Sequence, residues 1–273
     1  MKKLILFLLV FSLLSIGSVA FAKNSKKYAP PSDEATVSGV YDVEGQPDLK
    51  VKVFVYKEKG FDKNEAKPQK PPKPGDGSGP SLVCGLLGDD LPSDAEIGSA
   101  GWYLRPTVNY YLNVDSVPSS VGGSNLTTIV NNSFEVWENA LESSAPSINE
   151  ISTTNKNRAA LDGQNIISWG RNSGKTLGVT YVWYTNSGDV VEVDTIMNKS
   201  VTWGWSADPN CAYSNAYDAQ NIMTHELGHW FGLDDEYTSP FVNNTMYGYG
   251  SKVEVKKNTL TNGDIAGVRS LYY

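Results

Sequence analysis

Thr224-His225-Glu226-Leu227-Gly228-His229-Trp230-Phe231-Gly232-Leu233-Asp234-Asp235 is the stretch that decides the reading of this chain. On a helix turning about 100° per residue, His225 and His229 lie roughly 40° apart, one turn from each other. Two imidazoles in that relation can share one metal ion, and zinc suits them. Glu226 leaves the helix on the adjacent side, within reach of a metal-bound water. Met223, Leu227, Trp230 and Phe231 occupy the flank expected to face a core. Gly232 is expected to end the helix and turn the chain back.

These are the chain's only two histidines, so a third ligand must be a carboxylate, a tyrosine or a cysteine. Asp235 stands ten residues after His225 and is the expected third ligand, with Asp234 and Glu236 as neighbours that could compete. With an open fourth position, zinc would acidify a water and Glu226 would act as general base for its attack on a peptide carbonyl. Competing readings are histidines with no ligand role and a metal site that only stabilises the fold. Glu226 argues against the second, because a structural site needs no base.

Outward from this stretch, Asp218 is a good N-cap for the helix. Leu126, Ile129, Val130, Phe134, Trp137 and Leu141 recur at three and four residues and predict an earlier helix, with Ser124 as its N-cap. Thr107–Val114, Asn165–Trp169, Leu177–Tyr184 and Val190–Met197 read as strands, the last two joined by a turn at Asn186-Ser187-Gly188. A last helix is expected over Asn262–Tyr272. Near the N-terminus, Lys50-Val51-Lys52-Val53-Phe54-Val55-Tyr56 alternates with the period of a strand. Residues 67–80 are rich in Pro, Lys and Gly and read as a linker.

The chain has 273 residues, 23 basic and 30 acidic, for a net charge of −7. The charge divides at the linker. Residues 23–80 carry +2 and residues 81–273 carry −11. That balance disfavours nucleic acid as a partner. Lys2 and Lys3, an apolar run from Leu4 to about Ala20, and Ala20-Phe21-Ala22 form an export signal with cleavage expected after Ala22. No later run approaches the roughly 20 apolar residues of a membrane span. The expected product is therefore secreted, without a stable membrane anchor, with a monomer favoured. Residues 23–66 form an N-terminal segment, either a pro-region or a small β unit, and the chemistry belongs to 81–273.

His225-Glu226-x-x-His229-x-x-Gly232-x-x-Asp235 resembles the metzincin zinc signature, with Asp in place of the usual third His. Thr245-Met246-Tyr247-Gly248-Tyr249 is similar to the methionine turn of that group, which makes Met246 its methionine. Position 248 is glycine, so a tyrosine ligand of the astacin kind is not supported. The start of the active-site helix, from Asp218, and the C-terminal Leu260–Tyr272 look like those of matrixins over about residues 103–273. The resemblance implies an α+β, zincin-like fold: a twisted five-stranded mixed sheet, two long helices and a C-terminal helix. It implies a zinc endopeptidase acting on protein or peptide substrates, with one catalytic zinc. The second zinc of animal relatives needs histidines this chain lacks. Calcium held by loop carboxylates such as Asp189 or Asp208 has weak support. In matrixins an antiparallel edge strand binds extended substrate, and chain order assigns that role to Leu177, Gly178, Val179, Thr180 and Tyr181.

Cys84 and Cys211 admit one disulfide, as export permits. The alternative is a Cys84 thiolate acting as the inhibitory cysteine of matrixin proenzymes, although Val83-Cys84-Gly85-Leu86 lacks the flanking Arg and downstream Pro. Two functional classes compete with the endopeptidase: a non-catalytic secreted binding module retaining zinc, and a zinc hydrolase of a non-peptide bond.

Overall fold

The alternating stretch Lys50–Tyr56 lies in the second strand of a hairpin, β1 (Gly39–Val43) and β2 (Gln46–Glu58), in the computed structural model, which describes residues 27–60, 80–86 and 92–273. The export signal over 1–22 and all of the linker but its last residue lie outside the described residues. After the linker come β3 (Leu82–Cys84), β4 (Thr107–Leu112), α1 (Leu126–Leu141), β5 (Ser147–Thr153), β6 (Asn165–Gly170), β7 (Thr176–Thr185) and β8 (Val190–Asn198). The short strands β9 (Trp203–Gly204), β10 (Cys211–Tyr213) and β11 (Tyr217–Asp218) lead into α2 (Ala219–Trp230). A short strand β12 (Tyr249–Gly250) and α3 (Asn262–Tyr272) complete the chain.

The main sheet runs β1-β2-β7-β8-β6-β4-β5. Strands β4, β5, β6 and β8 are mutually parallel where they pair, and β7 is antiparallel to β8. These are the five strands of the expected mixed sheet. The N-terminal hairpin extends that sheet beyond β7, so residues 27–60 are not a separate unit.

Helix α1 presents Leu126, Ile129, Val130, Phe134, Trp137 and Leu141 to the core, all buried. Each such side chain contributes on the order of 1.5–3 kcal/mol by leaving water. Ser124 does not cap this helix. Gly123–Asn125 forms a 3₁₀ turn that feeds the first turn, and Asn125 Nδ2 donates to Val121 O. Helix α2 lies between α1 and the sheet with all twelve residues buried, so it has no solvent face. Asp218 caps it, accepting from Asn221 N at 2.8 Å. Gly232, at φ +99°, follows its end, where a Cβ would sit 2.1 Å from the Trp102 carbonyl oxygen. In α3, Thr261 and Asp264 form a capping box.

Strand β5 was not among the expected elements. Ser-Ile-Asn-Glu-Ile-Ser-Thr is mostly exposed, so it lacks the apolar run that marks a buried strand. Pairing with β4 holds it.

Cys84 and Cys211 are directly opposed in the antiparallel β3–β10 pair and joined by a disulfide. Cys84 therefore carries no free thiolate here, and the inhibitory-cysteine alternative is set aside. The bridge ties the chain just after the linker to the loop before α2. Among the described residues, no helix is long and apolar enough to cross a membrane.

Candidate metal centre

Helix α2 aims both imidazoles at the loop that follows it. His225 Nδ1 donates to Thr245 O at 2.7 Å, and His229 Nδ1 donates to Leu233 O at 2.9 Å. A carbonyl only accepts, so each ring carries its proton on Nδ1 and presents a bare Nε2 lone pair. Asp235 Oδ1 stands 3.2 Å from His225 Nε2 and 3.6 Å from His229 Nε2. Burial holds both imidazoles neutral, His225 well below its usual value and His229 down to about 3. The contacts are therefore not ion pairs. Two lone pairs face a carboxylate oxygen with no hydrogen between them.

These three atoms, with Glu226 Oε1, are buried and have no hydrogen-bond partner. Such atoms are costly to leave unsatisfied. One cation among them removes the conflict, and neutral imidazoles with a carboxylate are a donor set for zinc. His225, His229 and Asp235 are the one metal-capable grouping of three among the described residues, with ligand atoms within 4.8 Å of one another. Asp234 does not compete: its side chain is 39 % exposed and paired with Lys52 at 2.7 Å, whereas that of Asp235 is 3 % exposed. Glu236 uses its backbone, donating to Met246 O and accepting from Gly248 N. Asp189 and Asp208 lie elsewhere and accept bonds within their own turns, from Ser187 Oγ and Asn210 N.

Glu226 is fixed from the sheet. Trp230 Nε1 donates to Thr195 Oγ1 (2.9 Å), which is 2.8 Å from Thr180 Oγ1, which donates to Glu226 Oε2 at 2.6 Å. Because the indole only donates, the run of donors ends on the carboxylate. Burial pushes the Glu226 carboxyl up to about 8, with the Thr180 bond working against it. Gly178 makes the approach possible, since a Cβ there would lie 2.3 Å from Glu226 Oε1.

Met246 lies buried beneath α2. A Cβ on Gly228 would be 2.3 Å from its sulfur. Asp264 in α3 accepts from the backbone N–H groups of Thr245 and Met246. The C-terminal helix thereby holds the turn whose Thr245 carbonyl orients His225.

Strand β7 corrects one expectation. Leu177, Gly178, Val179, Thr180 and Tyr181 are not a free edge, because β2 pairs antiparallel with β7 from Leu49↔Thr185 to Lys57↔Thr176. Strand β2 also pairs in parallel with β12. It thus lies between the sheet and the segment after Met246, directly over the metal centre. Phe54 stacks on His229, with centroids 3.7 Å apart and planes at 9°. Tyr56 stacks on His225 at 3.9 Å and 26°. His225, Glu226 and His229 have no exposed surface. The other side of β2, Val51, Val53 and Val55, packs with Ala35, Tyr41, Val179, Tyr181 and Trp183 in a second apolar cluster.

Phe54, Tyr56, Thr195 and Lys257 were missed as site residues, and Thr180, expected only on the substrate strand, also holds Glu226. Only the first two had a signal: alternation puts Lys52, Phe54 and Tyr56 on the face of β2 opposite the valines.

A mixed five-stranded sheet over two long helices, carrying two imidazoles one helical turn apart and a carboxylate beyond a glycine turn, defines the zinc-peptidase fold of the metzincin class. A family model described as matrixin matches residues 102–273, more than half of the chain. The chain belongs to the matrixin family, and with it to the zinc-dependent metallopeptidases. A comparison with curated proteins finds no match.

Proposed function

We propose that this matrixin is a secreted zinc endopeptidase made with its N-terminal segment lying in its own substrate cleft as a pro-region. The observation that carries the peptidase reading is the convergence of four unpartnered buried atoms, His225 Nε2, His229 Nε2, Asp235 Oδ1 and Glu226 Oε1. The first three would hold zinc. Bound there, zinc supplies a Lewis acid that polarises a peptide carbonyl and acidifies water.

The chain's own residues do the rest. Glu226 takes a proton from water at Oε1 and returns it to the departing amine. Thr180 holds Oε2, so the free oxygen stays aimed at the centre. Strand β7 would bind an extended substrate by strand addition once β2 has left. The pairing of β2 with β7 supports this, because β7 accepts an antiparallel strand on that side. Residues 1–22 support export, and the disulfide suits an oxidising compartment. The third ligand, the Met246 turn and the pro-region belong to this same proposal.

Zinc content and casein cleavage, measured on the chain cut within residues 61–79, test the reading. Glu226→Gln is expected to keep zinc and lose about 10³-fold in kcat, in the range of a general base. Equal cleavage by both proteins overturns the mechanism. Bound zinc with no cleavage in the unsubstituted chain favours a binding module instead.

A further inference from the structure

Lys257 is a lysine with no exposed surface. Its ammonium donates to three acceptors: Tyr56 Oη at 2.5 Å, the carbonyl of Tyr249 at 3.1 Å, and the carbonyl of Tyr247. Among the described residues, no carboxylate forms an ion pair with it. Three N–H donors and three acceptors leave it satisfied. Two of those acceptors belong to the segment after the methionine turn. The third arrives on β2.

The ring that carries this hydroxyl fills a flat slot. One face lies on His225. Against its rim runs Gly250, where a Cβ would come within 2.9 Å of Tyr56 Cε1, Tyr56 Oη and Leu177 Cδ1. Glycine at 250 is what makes the slot wide enough for an aromatic ring. Tyr56 enters it from the strand position opposite Gly178, beside Glu226. Any extended peptide in the place of β2 would send a side chain into this slot and meet Lys257 at its floor.

On the reading that β7 binds extended substrate, we infer that Lys257 and Gly250 make this slot selective for tyrosine at the position opposite Gly178. When β2 leaves, the ammonium loses one acceptor. A tyrosine restores it. A phenylalanine fills the slot and leaves a buried N–H unpaired, and sites built to bond a hydroxyl reject the analogue that lacks it. A glutamate offers an acceptor but no flat ring to pack between His225 and Gly250. Tyr56 is thus the chain's own example of the side chain that the slot takes.

The test uses the full chain with zinc bound, Glu226→Gln to prevent turnover, and a protease site inserted within residues 61–79. After cutting, both pieces stay in solution. Fluorescent peptides copying residues 46–58 displace the resident strand, with Tyr, Phe, Glu or Val at the position of Tyr56. The Tyr peptide is expected to bind about 10- to 100-fold more tightly than the Phe peptide. Lys257→Met is expected to bring that ratio to about one. Gly250→Ala, which narrows the slot and leaves the ammonium in place, is expected to weaken both aromatic peptides and favour the Val peptide. It decides the matter if Lys257→Met does not fold and bind zinc.

Phe binding as well as Tyr, Glu binding best, Tyr peptide not binding, a Tyr preference that survives Lys257→Met, or aromatic binding untouched by Gly250→Ala each overturns the inference. Failure of the peptidase reading looks different. Zinc-loaded cut chain that retains Glu226, binds the Tyr peptide and cleaves nothing defeats that reading while leaving the slot's preference intact.

Discussion

Strand β7 has two antiparallel neighbours, and they differ in kind. Strand β8 reaches it through the short turn at Asn186-Ser187-Gly188 and pairs from Gly178↔Met197 to Tyr184↔Val190. Strand β2 makes a longer ladder on the other side, from Leu49↔Thr185 to Lys57↔Thr176, but from the far side of the linker. Strand β8 carries Thr195, which supports Thr180 and through it Glu226. Strand β2 carries Phe54 and Tyr56, which cover the imidazoles. One neighbour holds the centre in shape; the other closes it. The disulfide sharpens the contrast, because it anchors the chain at Cys84, after the linker. A cut within residues 61–79 leaves β2 held only by non-covalent contacts.

The largest expected effect follows from that cut. On the proposed pro-region reading, an intact chain would react only through the minor population in which β2 has left, on the order of 0.1–10 % for an equilibrium of a few kcal/mol. Cutting within residues 61–79 and diluting the pieces apart is expected to raise peptide cleavage by up to about 10³-fold. An intact chain that cleaves as fast as the cut one would make β2 a permanent wall like β8.

A smaller change weakens the closing strand from within. Phe54→Ala removes the ring stacked on His229 and is expected to cost about 3 kcal/mol of docking. Peptide cleavage by the intact chain should rise by about 10²-fold, and amide hydrogen exchange in β2 should quicken with it. Exchange slowed or unchanged in β2 would break the assignment.

The support that β8 gives through Thr195 is probed by Thr180→Val, which removes the link from Thr195 to Glu226. Its loss frees Glu226 Oε2, and the cut chain is expected to lose about 10-fold in kcat with little change in KM, as for a misplaced proton-transfer group. Thr180→Ser restores the hydroxyl and should recover most of the rate. Loss of zinc, or no recovery with serine, would show a role in packing alone.

How much of this was legible in advance depended on distance along the chain. His225, Glu226 and His229 lie within five residues, so helical geometry alone put them on neighbouring faces. Gly232 and Asp235 follow closely, and the turn between them is short enough for local chemistry to suggest its direction. The cap at Asp218 and the helix over Asn262–Tyr272 were legible for the same reason. Ser124 failed as a cap because a 3₁₀ turn took its place, a difference of a few dihedral angles. The pairing of β2 with β7 was not legible, because it spans a longer range. Alternation in residues 50–56 announces a strand, but nothing in a period of two names its partner. Thr180, Thr195 and Trp230 meet only because strand pairing and helix packing bring them together.

By itself, then, the sequence determined the helix that carries both imidazoles and Glu226, its terminating glycine and the family to which the chain belongs. All of these are written in short-range spacing, where backbone geometry converts residue number directly into direction. Tertiary structure alone decided that Asp235, not Asp234, turns inward, that β2 lies over the centre, and that Lys257 meets Tyr56 across 201 residues of chain. Those outcomes rest on pairing between distant segments, where burial and hydrogen-bond satisfaction choose the partner and local pattern does not.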